Sequence, residues 1–191
     1  MKLKHFYWMA AVVVLVALGA YFSARSANYY SRFPGDKGKA YETYETDNTY
    51  FKVKITASEE VGIFTAGAFF TFESAPVDSN DWRTFWDYRA DDPVSIPRER
   101  FHFVNDQTAY FYGYGHFLTT VDAGRSWSHW KPILPDSEGR THHWGIREAS
   151  IEADGKGTMK LERYDEQSNQ RISAEVFTEN FGRNWSPIVL R

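Results

Sequence analysis

One turn sequence occurs twice in this chain. It reads TTVDAGRSW from Thr119 to Trp127 and returns 58 residues later as FTENFGRNW, from Phe177 to Trp185. Both copies lie between runs in which apolar and polar residues alternate, a pattern typical of β-strands. A turn repeated at roughly this spacing indicates a repeated unit of four antiparallel strands, as in propeller blades.

Each residue type in the motif has a structural role. The short side chains of Asp122 and Asn180 can accept hydrogen bonds from nearby backbone N–H groups, which would close the turn. Glycine permits positive φ, and the final tryptophan covers the hairpin with an apolar face. The predicted structural set is Thr120, Asp122, Gly124, Trp127, Thr178, Asn180, Gly182 and Trp185.

The alternation after residue 48 predicts three groups of four strands. The first group is expected at 49–55, 61–65, 68–74 and 82–88, with Trp82 in the place of Trp127 and Trp185. The predicted fold class is all-β, with blade-like antiparallel sheets in an incomplete propeller or a compact β-domain. Since three blades cannot close a ring, we expect a partner protein or a second copy to cover open strand edges, or the three sheets to wrap into a compact, non-propeller β-domain.

The N-terminus contains an uninterrupted apolar run, Phe6 to Phe22, bracketed by aromatic residues. It is long enough to span a membrane as a helix, and the aromatic residues suit interfacial positions. We therefore predict an N-terminal transmembrane anchor at 1–22, a tether at 23–47 and a β-domain at 48–191. Cleavage after small residues at the right spacing, Ala17 and Gly19 or Ala24 and Ser26, is the alternative.

The signal-like N-terminus favours export of the β-domain, although counting Lys and Arg on either side of the run does not. We expect a single-pass protein of the cytoplasmic membrane with its C-terminal domain on the extracytoplasmic side.

Charge and cysteine content exclude several function classes. Without Lys2 and Lys4, 20 Lys and Arg remain against 25 Asp and Glu, so binding to a nucleic-acid backbone is not expected. The chain has no cysteine, which excludes disulfides, thiol nucleophiles and thiolate metal sites.

The turn pattern S/T-x-D-x-G-x-x-W resembles the Asp-box, or bacterial neuraminidase repeat, of sialidase-like and photosystem-assembly-factor-like propellers. TTVDAGRSW matches every key position, FTENFGRNW differs in Asn180, and the first group has no intact copy. The resemblance implies that the box is structural and remote from any active site.

A sialidase-like activity is an alternative that the residues support weakly. Such enzymes place an arginine in an (F/Y)-R-I-P motif, and here Ser95 precedes Ile96 and Pro97. Glycosidase chemistry in general needs two opposed carboxylates. The sequence cannot place any two of its candidates at one cleft: Asp78, Asp81, Asp91, Asp92 and Glu148.

Neither a metal site nor a cofactor is predicted, because His142 and His143 are adjacent and the remaining histidines lack a ligand spacing. Aromatic residues are instead expected to form a binding surface, since Tyr and Trp dominate interface hot spots. The predicted binding residues are Tyr112, Tyr114, His116, Trp130, His142, His143 and Trp144. The predicted function is a membrane-anchored, non-catalytic protein-binding module that acts as an assembly, scaffold or inhibitor factor. A glycan-binding module or a sialidase-related glycosidase is the alternative.

Overall fold

The structure, a computed structural model, describes residues 36–61, 67–135, 141–165, 168–187 and 189–190. Within these ranges the chain is almost entirely β-strand and turn, and its one helical segment is a 3-10 turn at Arg98–Arg100. The all-β prediction is confirmed.

The strands form three antiparallel sheets of four, each in simple sequence order. Sheet 1 contains β1 (Asp36–Asp47), β2 (Phe51–Val61), β3 (Ala68–Pro76) and β4 (Arg83–Ala90). Sheet 2 contains β5 (Phe101–Phe103), β6 (Ala109–Gly113), β7 (His116–Thr120) and β8 (Ser128–Trp130). A hairpin of β9 (Ile133–Pro135) and β10 (Thr141–His143) follows. Sheet 3 contains β11 (Gly145–Ile151), β12 (Gly157–Asp165), β13 (Gln170–Thr178) and β14 (Val189–Leu190).

The predicted grouping of the first sheet was wrong in its membership. Residues 36–47, assigned to the tether, form β1 and pair with β2, so the sheet begins before residue 48. Segments 49–55 and 61–65, predicted as two strands, overlap one strand at Phe51–Val61. Residues 62–66 lie outside the described ranges.

Sheet 2 lies between the other two sheets and is buried on both faces. One face joins sheet 1 in an apolar cluster that includes Phe51, Val53, Ile55, Phe70, Phe72, Phe111 and Leu118. Its other face joins sheet 3 in a cluster that includes Tyr110, Tyr112, Phe117, Ile146, Met159, Leu161 and Val176. Adjacent residues such as Tyr110 and Phe111 therefore pack against different sheets, as the two-residue period of a strand requires.

The outer face of sheet 1 is polar. Lys52 and Lys54 alternate with buried residues on β2, and Lys54 lies 2.8 Å from the Glu73 carboxylate on β3. Lys37 on β1 bonds to both Thr71 and Asp87, at 2.8 and 2.6 Å. This face presents ion pairs to solvent rather than an apolar surface for another sheet.

The outer face of sheet 3 also carries ion pairs, beside the exposed rings of Tyr164 and Phe177. Glu162 lies between Arg147 and Arg171, at 3.1 and 3.3 Å, and Lys160 pairs with Glu148 at 2.8 Å. Polar outer faces are typical of the terminal units of a repeat array, which must remain soluble. Ion pairs therefore lie on the outer faces at both ends of the three-sheet stack.

The predicted anchor at 1–22 and the first part of the tether lie outside the described residues. In the ranges that the structure does describe, no helix has the length and apolar character needed to cross a bilayer.

Candidate functional site

The first copy of the repeated turn is closed by hydrogen bonds to Asp122. Its Oδ1 accepts from the Ser126 backbone N–H at 2.9 Å and from the Thr120 hydroxyl at 2.9 Å. Its Oδ2 accepts from the Ser126 hydroxyl at 2.5 Å. The Gly124 N–H donates to the Thr120 hydroxyl oxygen at 3.1 Å. Both carboxylate oxygens are thus used inside the turn.

These bonds also determine the charge of Asp122. Partial burial alone would raise its pKa, but the hydrogen bonds from Ser126, Thr120 and the Arg125 backbone hold the pKa below its ordinary value. Asp122 is a carboxylate at neutral pH and is a poor candidate for a general acid, which needs a raised pKa.

The second copy repeats this geometry with an amide. Asn180 Oδ1 accepts from the Thr178 hydroxyl at 3.0 Å and from the Asn184 backbone N–H at 2.9 Å. The Gly182 N–H donates to the Thr178 hydroxyl oxygen at 3.0 Å. Only the amide oxygen is needed here, which explains how asparagine can replace aspartate.

Each turn also docks on the preceding sheet. The Ser74 hydroxyl of sheet 1 donates to the Gly124 carbonyl at 2.7 Å, and the Thr119 hydroxyl of sheet 2 donates to the Phe181 carbonyl at 2.9 Å. A Cβ on Gly124 would lie 2.7 Å from the Phe51 ring. The turns therefore fix how neighbouring sheets stack.

A second cluster, which we call the aromatic–histidine patch, lies where the edge strands of sheets 1 and 2 meet. It consists of Trp86, Tyr88, Tyr114, His116 and His129. The Tyr88 ring stacks on Tyr114 with centroids 4.8 Å apart and lies 5.5 Å from His116. The Trp86 ring lies 5.0 Å from His116 and 5.8 Å from His129. His129 is exposed and the other four side chains are half-buried.

A β-bulge in β4 shapes this patch. Phe72 pairs with Trp86 and the next residue, Glu73, pairs with Thr84, so Phe85 is an extra residue. As a result, two consecutive aromatic rings face sheet 2. Phe85 stacks on Trp127 with centroids 4.1 Å apart, while Trp86 reaches the histidines.

The two histidines of the patch are in direct contact. His116 Nδ1 lies 2.5 Å from His129 Nε2, and the rings are stacked with centroids 4.7 Å apart. Burial, and then the charges of His129, Lys131 and His143, lower the pKa of His116 to about 4. Burial and Lys131 lower the pKa of His129 as well. Both imidazoles are therefore neutral at pH 7.

The structure separates the seven predicted binding residues. Tyr114 and His116 belong to the patch, and His143 is exposed on β10 close enough for its charge to act on His116. His142 is half-buried on the same strand. Tyr112 is only 9% exposed and Trp144 only 3%.

Three predicted aromatic residues pack between sheets 2 and 3 instead. Tyr112 stacks on His102, Trp144 lies under the Arg163 guanidinium, and Trp130 packs against Trp185. The buried rings of Tyr112 and Trp144 stabilise the fold and are not available to a partner, whereas Trp130 is half-buried.

The binding residues predicted from the sequence did not include Trp86, Tyr88 or His129. The position of His129 fits the alternation of side chains between the two faces of its strand. That alternation cannot show that His116 lies diagonally opposite on the adjacent strand.

Some of the candidate catalytic carboxylates take part in ion pairs on separate strands and turns. Asp81 lies 3.4 Å from Arg83, Asp91 lies 3.5 Å from Arg89, and Glu148 pairs with Lys160 on sheet 3.

No family model, curated protein or solved structure matches this chain.

Proposed function

We propose that this protein is a membrane-anchored, non-catalytic module that binds a protein partner through the aromatic–histidine patch. The observation that carries the proposal is the patch itself, a cluster of five aromatic and imidazole rings at the edge of the sheet stack. Trp and Tyr bury much area with little loss of side-chain entropy, which suits them to interface hot spots.

The position of the patch supports this role. Trp86 and Tyr88 lie on β4 and His129 lies on β8, which are edge strands of their sheets, and the β6–β7 hairpin contributes Tyr114 and His116. Edge strands present backbone N–H and C=O groups that an extended segment of a partner can pair with. Ring contacts and backbone pairing would then act at the same surface.

The outer faces of sheets 1 and 3 are less suited to partner binding than the patch is. Both carry ion pairs, such as Lys54 with Glu73 and Lys160 with Glu148. Burying them would cost desolvation energy. The proposal therefore favours a protein partner over a ring of two copies closed through these faces.

The anchor places the module at the cytoplasmic membrane, with the β-domain on the extracytoplasmic side. The apolar run Phe6 to Phe22 supports the anchor. The resemblance to Asp-box assembly factors supports a scaffold, assembly or inhibitor role.

The test is capture of the partner by the full chain in detergent, followed by quantitative binding to the captured protein. Trp86→Ala and His129→Ala are each expected to weaken binding by about 30-fold, the loss of a hot spot worth about 2 kcal/mol. Tyr164→Ala is the matched control, because Tyr164 is 57% exposed but lies on sheet 3.

Circular dichroism must first show that each variant is folded. Equal binding by wild type and both patch variants would contradict the proposal. Binding of an oligosaccharide array that is lost in the patch variants would establish the glycan-binding alternative, and turnover of a fluorogenic sugar would establish the enzyme.

A further inference from the structure

A cleft opens at one end of the junction between sheets 1 and 2. It lies between the loop that joins β3 to β4 and the first copy of the repeated turn, and its volume is about 330 Å³. Its lining includes apolar surface from Tyr50, Pro76 and Ala123, together with two arginines, Arg83 and Arg125. The cleft therefore combines apolar surface with two guanidinium groups.

Hydrogen bonds hold both walls of this cleft in place. On the sheet 1 side, the Ser79 backbone N–H donates to the Pro76 carbonyl at 3.0 Å, and the Asp81 N–H donates to the Ser79 hydroxyl oxygen at 2.9 Å. Across the junction, the Ser74 hydroxyl donates to the Gly124 carbonyl at 2.7 Å. The cleft is thus formed before any ligand binds, as ligand sites usually are.

The two arginines are available to an anion. Arg83 lies 3.4 Å from the Asp81 carboxylate, a long contact between side chains that are 77% and 72% exposed. Arg125 is exposed, and its side chain makes no hydrogen bond or ion pair with any residue that the structure describes. A guanidinium group presents N–H donors in a planar fork that matches the two oxygens of a carboxylate.

The cleft and the aromatic–histidine patch share one face of β4. Arg83, Trp86 and Tyr88 all pair with β3 residues that face sheet 2. Those partners are Ser74, Phe72 and Phe70, in that order. Because cross-strand partners lie on the same face of a sheet, one extended segment along the edge of β4 can meet both the arginine and the rings. The distance along the strand from Arg83 to Trp86 is about 10 Å.

Sheet 2 forms the other side of this groove between β4 and β8. The His129 ring lies 5.8 Å from the Trp86 ring, and Arg125, four residues before His129, lines the same cleft as Arg83. Between them, Trp127 stacks on a ring of β4 with centroids 4.1 Å apart. The groove therefore has rings along its length and two guanidinium groups at one end.

We propose that this groove binds an extended acidic segment of the partner protein, with a carboxylate between Arg83 and Arg125 and an apolar side chain on the patch. The inference rests on the proposed function, because that function places the partner at the patch. A spacing of about 10 Å along the strand puts the carboxylate about three or four residues from the apolar side chain. Charge-assisted pairs of arginine with carboxylate are stronger than neutral hydrogen bonds.

The charges beside the groove favour an acidic partner. Lys131 follows β8 and lies close enough for its charge to act on both histidines of the patch. Two carboxylates of β4 and its flank are already paired with cations of this chain. Asp87 bonds to Lys37 on the outer face of sheet 1, and Asp91 pairs with Arg89.

Short capped peptides with a fluorescein label test the inference without the partner. The parent peptide carries a glutamate about four residues from a tryptophan. A second peptide has glutamine in place of the glutamate, and a third has alanine in place of the tryptophan. Each is made in both sequence orders, because the groove does not fix the direction of the segment. Fluorescence anisotropy with the full chain in detergent measures the affinities, and in one order the parent should bind about tenfold more tightly than either replacement.

Arginine variants connect this difference to the cleft. Arg83→Gln and Arg125→Gln should each weaken binding of the parent peptide by about tenfold and leave binding of the glutamine peptide unchanged. Arg183→Gln is the matched control, because Arg183 is exposed and occupies the position of Arg125 in the second repeated turn, on sheet 3. It should keep wild-type affinity.

The outcomes separate this inference from the proposed function. Equal binding of the glutamate and glutamine peptides, or binding of none of the peptides, would overturn the acidic segment. Weaker partner capture by Trp86→Ala would then still support the patch as the partner site. Equal binding of the parent and the alanine peptide, lost in both arginine variants, would show a general anion site and overturn the continuous groove.

Discussion

Asp122 and Asn180 occupy equivalent positions and differ by one atom type. In both copies the side-chain oxygen accepts from the threonine hydroxyl two residues before it and from the backbone N–H four residues after it. The carboxylate of Asp122 also accepts from the Ser126 hydroxyl. What the fold requires at this position is an acceptor on a short side chain, not a charge.

Two substitutions of Asp122 distinguish a requirement for a hydrogen-bond acceptor from a requirement for a negative charge. Asp122→Ala removes the acceptor for the Ser126 N–H and the Thr120 hydroxyl. Because each such bond contributes about 0.5–1.5 kcal/mol, the free energy of unfolding should fall by about 1–3 kcal/mol. Asp122→Asn keeps the oxygen seen in the second copy and should cost less than about 1 kcal/mol. Urea denaturation at neutral pH measures both values, and equal losses would contradict a role based on the acceptor alone.

The same pair of variants tests the pH dependence. Because the folded pKa of Asp122 lies below its ordinary 3.8, its charged form contributes stability above about pH 4. That contribution is lost as the pH falls through the folded pKa. Asp122→Asn should therefore show a shallower loss of stability below pH 4 than the wild type, and parallel curves would contradict this assignment.

The repeated turns were predictable because all their information is local. Thr120, Asp122 and Gly124 lie within five residues, so the pattern alone specifies the hydrogen bonds that close the turn. The histidine pair was not predictable, since its members lie 13 residues apart and meet only when strand register is fixed. Alternation gives the face of a residue but not its cross-strand neighbour.

Strand β1 was missed for a different reason. None of its side chains with a described environment is buried, so the alternation that marks a half-buried strand is absent. Its stability comes from pairing with β2 and from Glu42, which accepts from the Ile96 N–H and from Arg98. These partners are more than 50 residues away along the chain and leave no local signal.

Docking of the turns on neighbouring sheets is sensitive to any added atom at Gly124. Its φ is +75°, and a Cβ would overlap the Phe51 ring. Gly124→Ala should cost about 2–4 kcal/mol, from left-handed backbone strain and overpacking together.

Gly145→Ala is the matched control for this variant. The nearest atom to a Cβ there is the Glu162 carbonyl oxygen at 3.4 Å, an ordinary contact, so its cost should stay within about 0.5 kcal/mol. Thermal denaturation of both variants measures the difference. Equal melting temperatures would contradict the importance of the close contact between turn and sheet.

Truncation tests whether β1 belongs to the folded domain. A fragment that starts at residue 36 retains all four strands of sheet 1 and should unfold cooperatively. A fragment that starts at residue 48 leaves β2 with an unpaired edge and should be less stable and prone to aggregation. Equal stability of the two fragments would indicate that residues 36–47 belong to the tether and not to the folded domain.

At the scale of the whole molecule, three sheets form a stack in which only sheet 2 is buried on both faces. A closed ring of blades would need apolar outer faces on sheets 1 and 3. Those faces instead carry charged residues, Lys52 and Lys54 on β2 and Lys160 and Glu162 on β12. The sequence predicted three sheets. It could not show whether the outer faces of sheets 1 and 3 are buried or exposed, because the face that each strand buries depends on its neighbours.

The central claim is that the outer faces of sheets 1 and 3 are solvent-facing ends of a complete stack. Sedimentation equilibrium of the fragment from residue 36 to the C-terminus measures this most directly. We predict the mass of one chain at all protein concentrations. A two-chain mass that reverts to one chain on Lys54→Glu or Lys160→Glu would contradict the claim, since closure through those faces would then hold the dimer together.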